Sequence, residues 1–375
     1  MTDVRPDVAP LFEPFTVKSL TAPNRFAMAP MTRSASPGGV PGENVAAYYR
    51  RRAAGGVGLI ITEGVFIPDD AAGGQASVPR LIGDDALAGW SAVTDAVHDE
   101  GSAIAAQLWH QGVERGADPE FNPQVESVSP SGLAGDASPL GRALLTGELA
   151  PLAEQYATAA RNAKAAGFDA VELHGAHGYL LDQFLWERTN IRADGYGGSI
   201  VDRVRFPVEV VRAVRAAVGP DFPILYRFSQ WKQADYTATL ANSPAELERL
   251  LAPLVEAGVD VFHPSTRRHY VPAFSDLAGA DGELSLAGWT KRVTGLPAIA
   301  VGSVGLQTEF KPTEVRDIEP APVEAVLRQF ADNEFDVIAV GRALLSDPDW
   351  VNKLRTGRQE EFVGFNIGKA LAALY

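Results

Sequence analysis

ELAPLAEQYATAARNAKAAGFDAVELHG (148–175) reads as one helix feeding one strand. Its first part is amphipathic, with apolar residues three and four apart. Its last part, DAVELHG (169–175), is a short apolar run of the kind buried on both faces of a parallel sheet. The same unit recurs along the chain. Apolar runs at FAMAPM (26–31), GLIITEGV (58–65), SAIAAQLW (102–109), PILYRFS (223–229), VDVFHPS (259–265), PAIAVGS (297–303) and DVIAVGR (336–342) alternate with amphipathic stretches. Those include ENVAAYYRRRAA, DDALAGWSAVTDAVHDEG, VDRVRFPVEVVRAVRAAVG, SPAELERLLAPLVEAG and PVEAVLRQFADN. Ser243-Pro244 is a helix start, and Gly219 and Gly258 stand where a left-handed stop is expected. Eight strands, each followed by a helix, predict right-handed crossovers and the number that closes a (β/α)₈ TIM barrel.

The segments left over also carry information. Residues 9–25 predict a β-hairpin that plugs the N-terminal end of the barrel. Long excursions at 110–147, 266–283 and 304–322 follow strands three, six and seven. All lie at the C-terminal ends of strands, where barrel enzymes build their sites, so a lidded pocket is expected there. No linker, repeat or low-complexity tract divides the chain, and one domain over 1–375 is expected.

Composition narrows the function. With 375 residues, 46% of them hydrophobic, the chain buries a large core and is not disordered. The balance of 33 basic against 47 acidic residues argues against a nucleic-acid partner, which needs clustered positive charge. The absence of cysteine excludes disulfides, thiolate nucleophiles, zinc fingers and cysteine-ligated iron–sulfur clusters. MTDVRPDVAPLFEP (1–14) lacks an apolar signal core, and no run reaches the ~20 apolar residues of a membrane span. A cytoplasmic protein without a membrane partner, monomeric or homo-oligomeric, is the expectation.

The polar residues at the strand ends suggest chemistry. Gly302-Ser303 and Gly341-Arg342 end strands seven and eight, where glycine turns with free backbone N–H groups hold phosphate. The Arg342 guanidinium would add a bidentate contact, although glycine after a strand is often plain turn chemistry. Thr32, Gln107 and Arg227, from strands one, three and five, would surround a flat heteroaromatic ring such as an isoalloxazine. Arg227 would then stabilise its anionic reduced form; the alternative is an ion pair with Glu172 or Glu63. On strand four, His174, His177 and Tyr179 share one tight turn. They fit two donors for a carbonyl oxygen with a phenol as proton source. The competing readings are a metal site, for which Glu172 and His263 are further candidates, and structural histidines.

These residues fall in longer stretches that resemble the Old Yellow Enzyme family. They are NRFAMAPMTR (24–33), AAYYRRRAAGGVGLIITEG (46–64), AAQLWHQG (105–112), VELHGAHGYLLDQFLWERTNIRADGYGGSIVDRVRF (171–206), YRFS (226–229), AVGSVG (300–305) and VGRALLSDPDW (340–350). The resemblance implies a tightly bound FMN, reduced by NADH or NADPH, that reduces an enone or nitro-alkene. It implies that Ala29, Pro30, Met31 and Thr32 line the flavin, that Gly64 offers backbone, and that Gln107 and Arg227 meet its pyrimidine side. Gly302, Ser303, Gly341 and Arg342 would hold the phosphate. His174 and His177 would bind the substrate oxygen, Tyr179 would protonate the α-carbon, and Trp109 would stand on the substrate side. Where some members have cysteine this chain has Thr32, and where some have an aromatic it has Ser34. Gln111-Gly112-Val113 and the aromatic Tyr226–Trp231 segment also depart from the family pattern. Larger members carry an iron–sulfur cluster, which the lack of cysteine excludes here. A metal-dependent barrel hydrolase using His174 and His177, and a non-catalytic FMN-storing barrel, are the alternatives.

Overall fold

The computed structural model describes residues 7–309, 317–372 and 374. Among them, eight parallel strands close a barrel: β1 (Phe26–Met28), β2 (Leu59–Phe66), β3 (Ala103–Trp109), β4 (Ala170–His177), β5 (Ile224–Lys232), β6 (Val261–Ser265), β7 (Ile299–Val301) and β8 (Val337–Val340). Each pairs with the next, and β8 closes on β1, with Ile338 opposite Phe26. This is the expected (β/α)₈ TIM barrel, and every strand falls on its apolar run.

Helices α1 (Glu43–Ala54), α2 (Asp84–His98), α3 (Thr146–Ala165), α4 (Arg205–Val218), α5 (Pro244–Ala257), α6 (Leu286–Thr294), α7 (Glu324–Ala331) and α8 (Trp350–Arg355) lie in the connections and after β8. In α4, Val210, Val211, Val214 and Val218 are buried, the face that its periodicity marks. Helix α5 begins as its sequence signals: Ser243 Oγ accepts from the Glu246 N–H, and Pro244 takes the first position. Gly258 ends it at φ +116°, which a side chain would resist. No helix among the described residues is long and apolar enough to cross a membrane.

The expected hairpin is present, with strands Phe15–Val17 and Leu20–Ala22 paired antiparallel. Its Phe15, Leu20 and Ala22 pack with Ala27, Leu59, Ile61, Ala105, Leu225, Val261 and Ile299 as one apolar cluster. That cluster fills the lumen at the N-terminal end. Side chains two apart on a strand share a face, so Ala105, Ala170, Leu225 and Val261 are followed on the same face by Gln107, Glu172, Arg227 and His263. The lumen therefore changes from apolar to polar in one step along four strands.

The excursions differ from expectation in what they cover. Residues 110–147 fold around Arg115, whose guanidinium donates to the carbonyls of Gly73, Phe121, Asn122 and Val125. None of that excursion lines the large cavity at the C-terminal end of the barrel. The cavity wall comes instead from Thr266 and Arg267 after β6, Val304 and Leu306 after β7, Gln233 after β5, and Phe365 and Ile367 near the C-terminus. Phe365 belongs to a short strand paired with Asp317–Ile318. Residues 310–316 of the third excursion lie outside the described residues.

Candidate active site

A cavity of about 390 Å³ opens at the C-terminal ends of the strands, within the size range of small-molecule sites. Ala29, Pro30, Met31, Thr32, Gln107, Trp109, His174, His177, Tyr179, Arg227, Gly302, Ser303, Gly341 and Arg342 all line it. Of the expected site residues, Gly64 is the one not on the cavity wall itself. It sits at a register shift of β2 opposite Gln107, where a Cβ would lie 2.4 Å from the Trp109 ring. Its missing side chain seats Trp109, which stacks on Phe66 and meets the edge of Tyr179.

The β4 turn is held in an uncommon backbone conformation. His177 has φ +66° and Gly178 φ +88°, and for histidine the left-handed region is costly, by about 1–2 kcal/mol. The surroundings fix it. The His177 N–H donates to Ser229 Oγ at 2.9 Å, and the Gly178 N–H to Asp182 Oδ2 at 2.7 Å. Asp182 is fully buried and pairs with the equally buried Lys232 at 2.7 Å. Strand β5 thus continues past Ser229, the end of its apolar run, to brace the turn from behind.

On the cavity side, His174, His177 and Tyr179 converge, with ring centroids about 5 Å apart for His174–His177 and His174–Tyr179. Burial and the nearby Arg227 cation hold both imidazoles well below the usual histidine range, so both are neutral. Their tautomers follow from their partners. His174 Nδ1 accepts from the Ala176 N–H, which puts its proton on Nε2. Arg227 Nη2 donates to Ser265 Oγ at 3.3 Å, and the same hydroxyl lies 2.8 Å from His177 Nε2. Where that hydroxyl donates to Nε2, His177 carries its proton on Nδ1. Burial raises the Tyr179 phenol above its ordinary value, against a hydrogen bond from Gln233 that lowers it. It is a phenol, not a phenolate, at neutral pH.

Beneath the cavity runs a buried polar chain. Gln107 Nε2 donates to Glu172 Oε1 at 2.8 Å, and Glu172 Oε2 lies 2.5 Å from His263 Nδ1. Burial alone would raise the Glu172 carboxyl, but His263, Arg227 and Gln107 outweigh it and keep the carboxylate ionised. Arg227 is buried and forms no ion pair among the described residues, and its Nε has no hydrogen-bond partner. The expected alternative partners are engaged elsewhere: Glu172 as above, and Glu63 by the backbone N–H groups of Arg33 and Ser34. Among the described residues no group of three His, Asp or Glu is arranged to hold a metal ion, so the ligand set of a metal hydrolase is not formed.

At the opposite wall, Gly302 has φ +140°, and a Cβ there would lie 2.6 Å from the Thr266 carbonyl oxygen. Ser303 follows at φ +53°, and Arg342 Nη2 reaches it at 3.5 Å while donating to the Thr308 carbonyl at 2.6 Å. The two glycine turns and the guanidinium so form one corner of the cavity.

Residues 10–361 match the model of the NADH:flavin oxidoreductase / NADH oxidase family. This chain belongs to the Old Yellow Enzyme family. It is 37% identical to the chanoclavine-I aldehyde reductase of Penicillium roqueforti, over 92% of this chain and 89% of that protein. It is 33% identical to 12-oxophytodienoate reductase 7 of Oryza sativa subsp. japonica, over 92% and 88%. The NADH oxidase of Thermoanaerobacter brockii is 36% identical over 96% of this chain, which spans about half of that relative's length (53%). Among solved structures, morphinone reductase in complex with tetrahydroNAD superposes with a TM-score of 0.77 at 31% identity, covering 97% of this chain and 96% of that one.

Old Yellow Enzyme membership brings FMN and a nicotinamide reductant as cofactors, and the cavity fits FMN on its own chemistry. A buried arginine with an unpartnered Nε faces a place for an anionic or carbonyl-bearing ring. A glycine turn that admits no side chain, with Ser303 and Arg342 beside it, suits a phosphate. Trp231, Gln233, Ser265, Phe365 and Ile367 also line the cavity and were not among the expected site residues. The aromatic 226–231 segment signalled Trp231, and nothing in the sequence marked Gln233. Ser265 stood at the end of its apolar run, and nothing in the sequence marks the last two.

Proposed function

We propose that this Old Yellow Enzyme relative is an NAD(P)H-dependent ene-reductase acting on the activated C=C bond of an α,β-unsaturated carbonyl or nitro compound. The observation that carries this reading is the convergence of two neutral imidazoles and a protonated phenol on one face of a cavity that holds an unpaired arginine. Bound FMN would supply what the side chains lack, hydride chemistry between NAD(P)H and the β-carbon. His174 Nε2–H and His177 Nδ1–H bind the substrate oxygen and stabilise the charge that gathers there as the β-carbon is attacked. Neutral donors suit this task, since they polarise the oxygen without competing to protonate it. Tyr179 then gives its proton to the α-carbon. Gln107 and Arg227 would meet the pyrimidine side of the flavin, with Thr32 beside it, and Gly302, Ser303, Gly341 and Arg342 its phosphate. The names of the relatives, reductases among them, are in keeping with this reading.

The test is anaerobic. The FMN-loaded protein is reduced with NADH or NADPH and mixed with 2-cyclohexenone, and flavin reoxidation is followed. Tyr179→Phe is expected to slow reoxidation by enone on the order of 10²–10⁴-fold, as loss of a general acid does. Reoxidation at the wild-type rate would remove the proton-donor role. A yellow protein that never turns over NAD(P)H with any enone would favour flavin storage.

A further inference from the structure

Residues 229–233 extend β5 onto the back of the β4 turn, with Lys232 in register with His177. Trp231 lies against the His177 ring at 4.6 Å, and the Gln233 N–H points to the His177 carbonyl at 3.5 Å. This backbone path delivers the Gln233 side chain to the cavity, where its Nε2 donates to the Tyr179 hydroxyl oxygen at 2.7 Å. The direction of that bond matters. A phenol oxygen that accepts from an amide keeps its own proton uncommitted, whereas one that donated to an acceptor would have its proton held back.

We propose that Gln233 is a positioning residue for Tyr179: it holds the phenol oxygen from behind, turns the phenol proton toward the reacting carbon, and stabilises the phenolate left when that proton departs. This rests on the ene-reductase reading. In the step concerned, the Tyr179 O–H bond breaks and a C–H bond forms at the α-carbon from the electron pair left by hydride addition. NAD(P)H is the reductant. The negative charge ends on the tyrosine oxygen, and water returns the proton afterwards.

The rest of the phenol's surroundings offers no substitute. Trp109 from β3 and His174 from β4 present ring edges at 4.9 and 5.0 Å, and His174 is neutral. Glu114, from the excursion after β3, bears on the phenol with the wrong sign, since its charge opposes a phenolate. Among these neighbours the Gln233 amide is the group that favours the charged oxygen.

The experiment uses FMN-loaded protein, reduced anaerobically with NADH and mixed with 2-cyclohexenone, in water and in deuterium oxide. Gln233→Leu removes the donor; Gln233→Glu keeps the size but offers acceptors that would take the phenol proton. Each is expected to slow reoxidation about tenfold, the value of one hydrogen bond to a charged group, and to raise the solvent isotope effect. In a Tyr179→Phe background, Gln233→Leu should change the rate by less than about twofold, because the oxygen it acts through is gone. Equal slowing with and without the phenol, or a wild-type rate in Gln233→Glu, overturns the proposal while Tyr179→Phe remains slow. If Tyr179→Phe itself runs at the wild-type rate, the donor reading falls and Gln233 with it.

Discussion

At the N-terminal end of the barrel, Phe15, Leu20 and Ala22 close the lumen against alanine, leucine, isoleucine and valine, with no polar group to satisfy. At the C-terminal end the same strands turn inward Gln107, Glu172, His174, Arg227 and His263, all buried and all in need of partners. One end is held by area removed from water, the other by matched charges and hydrogen bonds. The two should therefore fail differently. Lys232→Met leaves Asp182 buried and unpaired, which is expected to cost about 3–5 kcal/mol. Replacing both partners, Asp182→Leu with Lys232→Met, should recover most of that stability, yet leave the proposed alkene reduction impaired because the Gly178 N–H loses its acceptor. Leu20→Ala at the other end should cost about 2–5 kcal/mol and leave the rate per folded molecule unchanged. Denaturant midpoints beside turnover rates check all three. A double variant as unstable as Lys232→Met would erase the contrast.

Much of this division was legible in the sequence. The apolar runs located the strands, the hairpin followed from the segment before the first of them, and His174, His177 and Tyr179 stood out by sharing one turn. The brace behind that turn was not legible. Gln230 and Lys232 look like the start of a loop, and Asp182 looks like a helix-surface acid; only the barrel's closure brings Lys232 and Asp182, fifty positions apart, into a dry contact. The destination of residues 110–147 was hidden for a similar reason. A glycine- and proline-rich segment at a strand end can fold over the cavity or away from it, and here Arg115 gathers the loop's carbonyls at the side. The seating of Trp109 on Gly64 was hidden because a glycine needed for a neighbouring ring and one needed for a ligand are the same letter.

The polar end also sets how stability responds to acid. His174, His177, His263 and His269 have pKa values held below the ordinary range, chiefly by burial. Such groups contribute stability above the unfolded histidine value of about 6.5 and lose it as pH falls, because the unfolded chain binds protons the folded one refuses. Glu63 opposes this: burial raises it to about 7, so between the unfolded value and 7 the folded state holds the extra proton and gains as pH falls. Four histidines outweigh one glutamate. Stability should drop below pH ~6.5 by about 1.4 kcal/mol per pH unit for each histidine not offset. Glu63→Gln should steepen the fall, and Leu20→Ala should shift the whole curve down without changing its shape. A curve flat from pH 7 to 5 would mean the imidazoles protonate freely in the folded state.

The smallest effect probes how far the polar end works as a network. Ser265 accepts from Arg227 and lies within hydrogen-bond reach of His177 Nε2. Ser265→Ala removes that partner of His177 Nε2, and in the proposed reaction it is the Nδ1–H form that donates to the substrate oxygen. Losing one neutral hydrogen bond of this kind is worth about 1 kcal/mol, so KM for an enone should rise about fivefold with kcat less affected. Ser265→Thr, which keeps the hydroxyl, should restore most of the loss. If alanine and threonine behave alike, His177 is oriented by its strained turn and the Trp231 ring, and the relay from Arg227 is without consequence for binding.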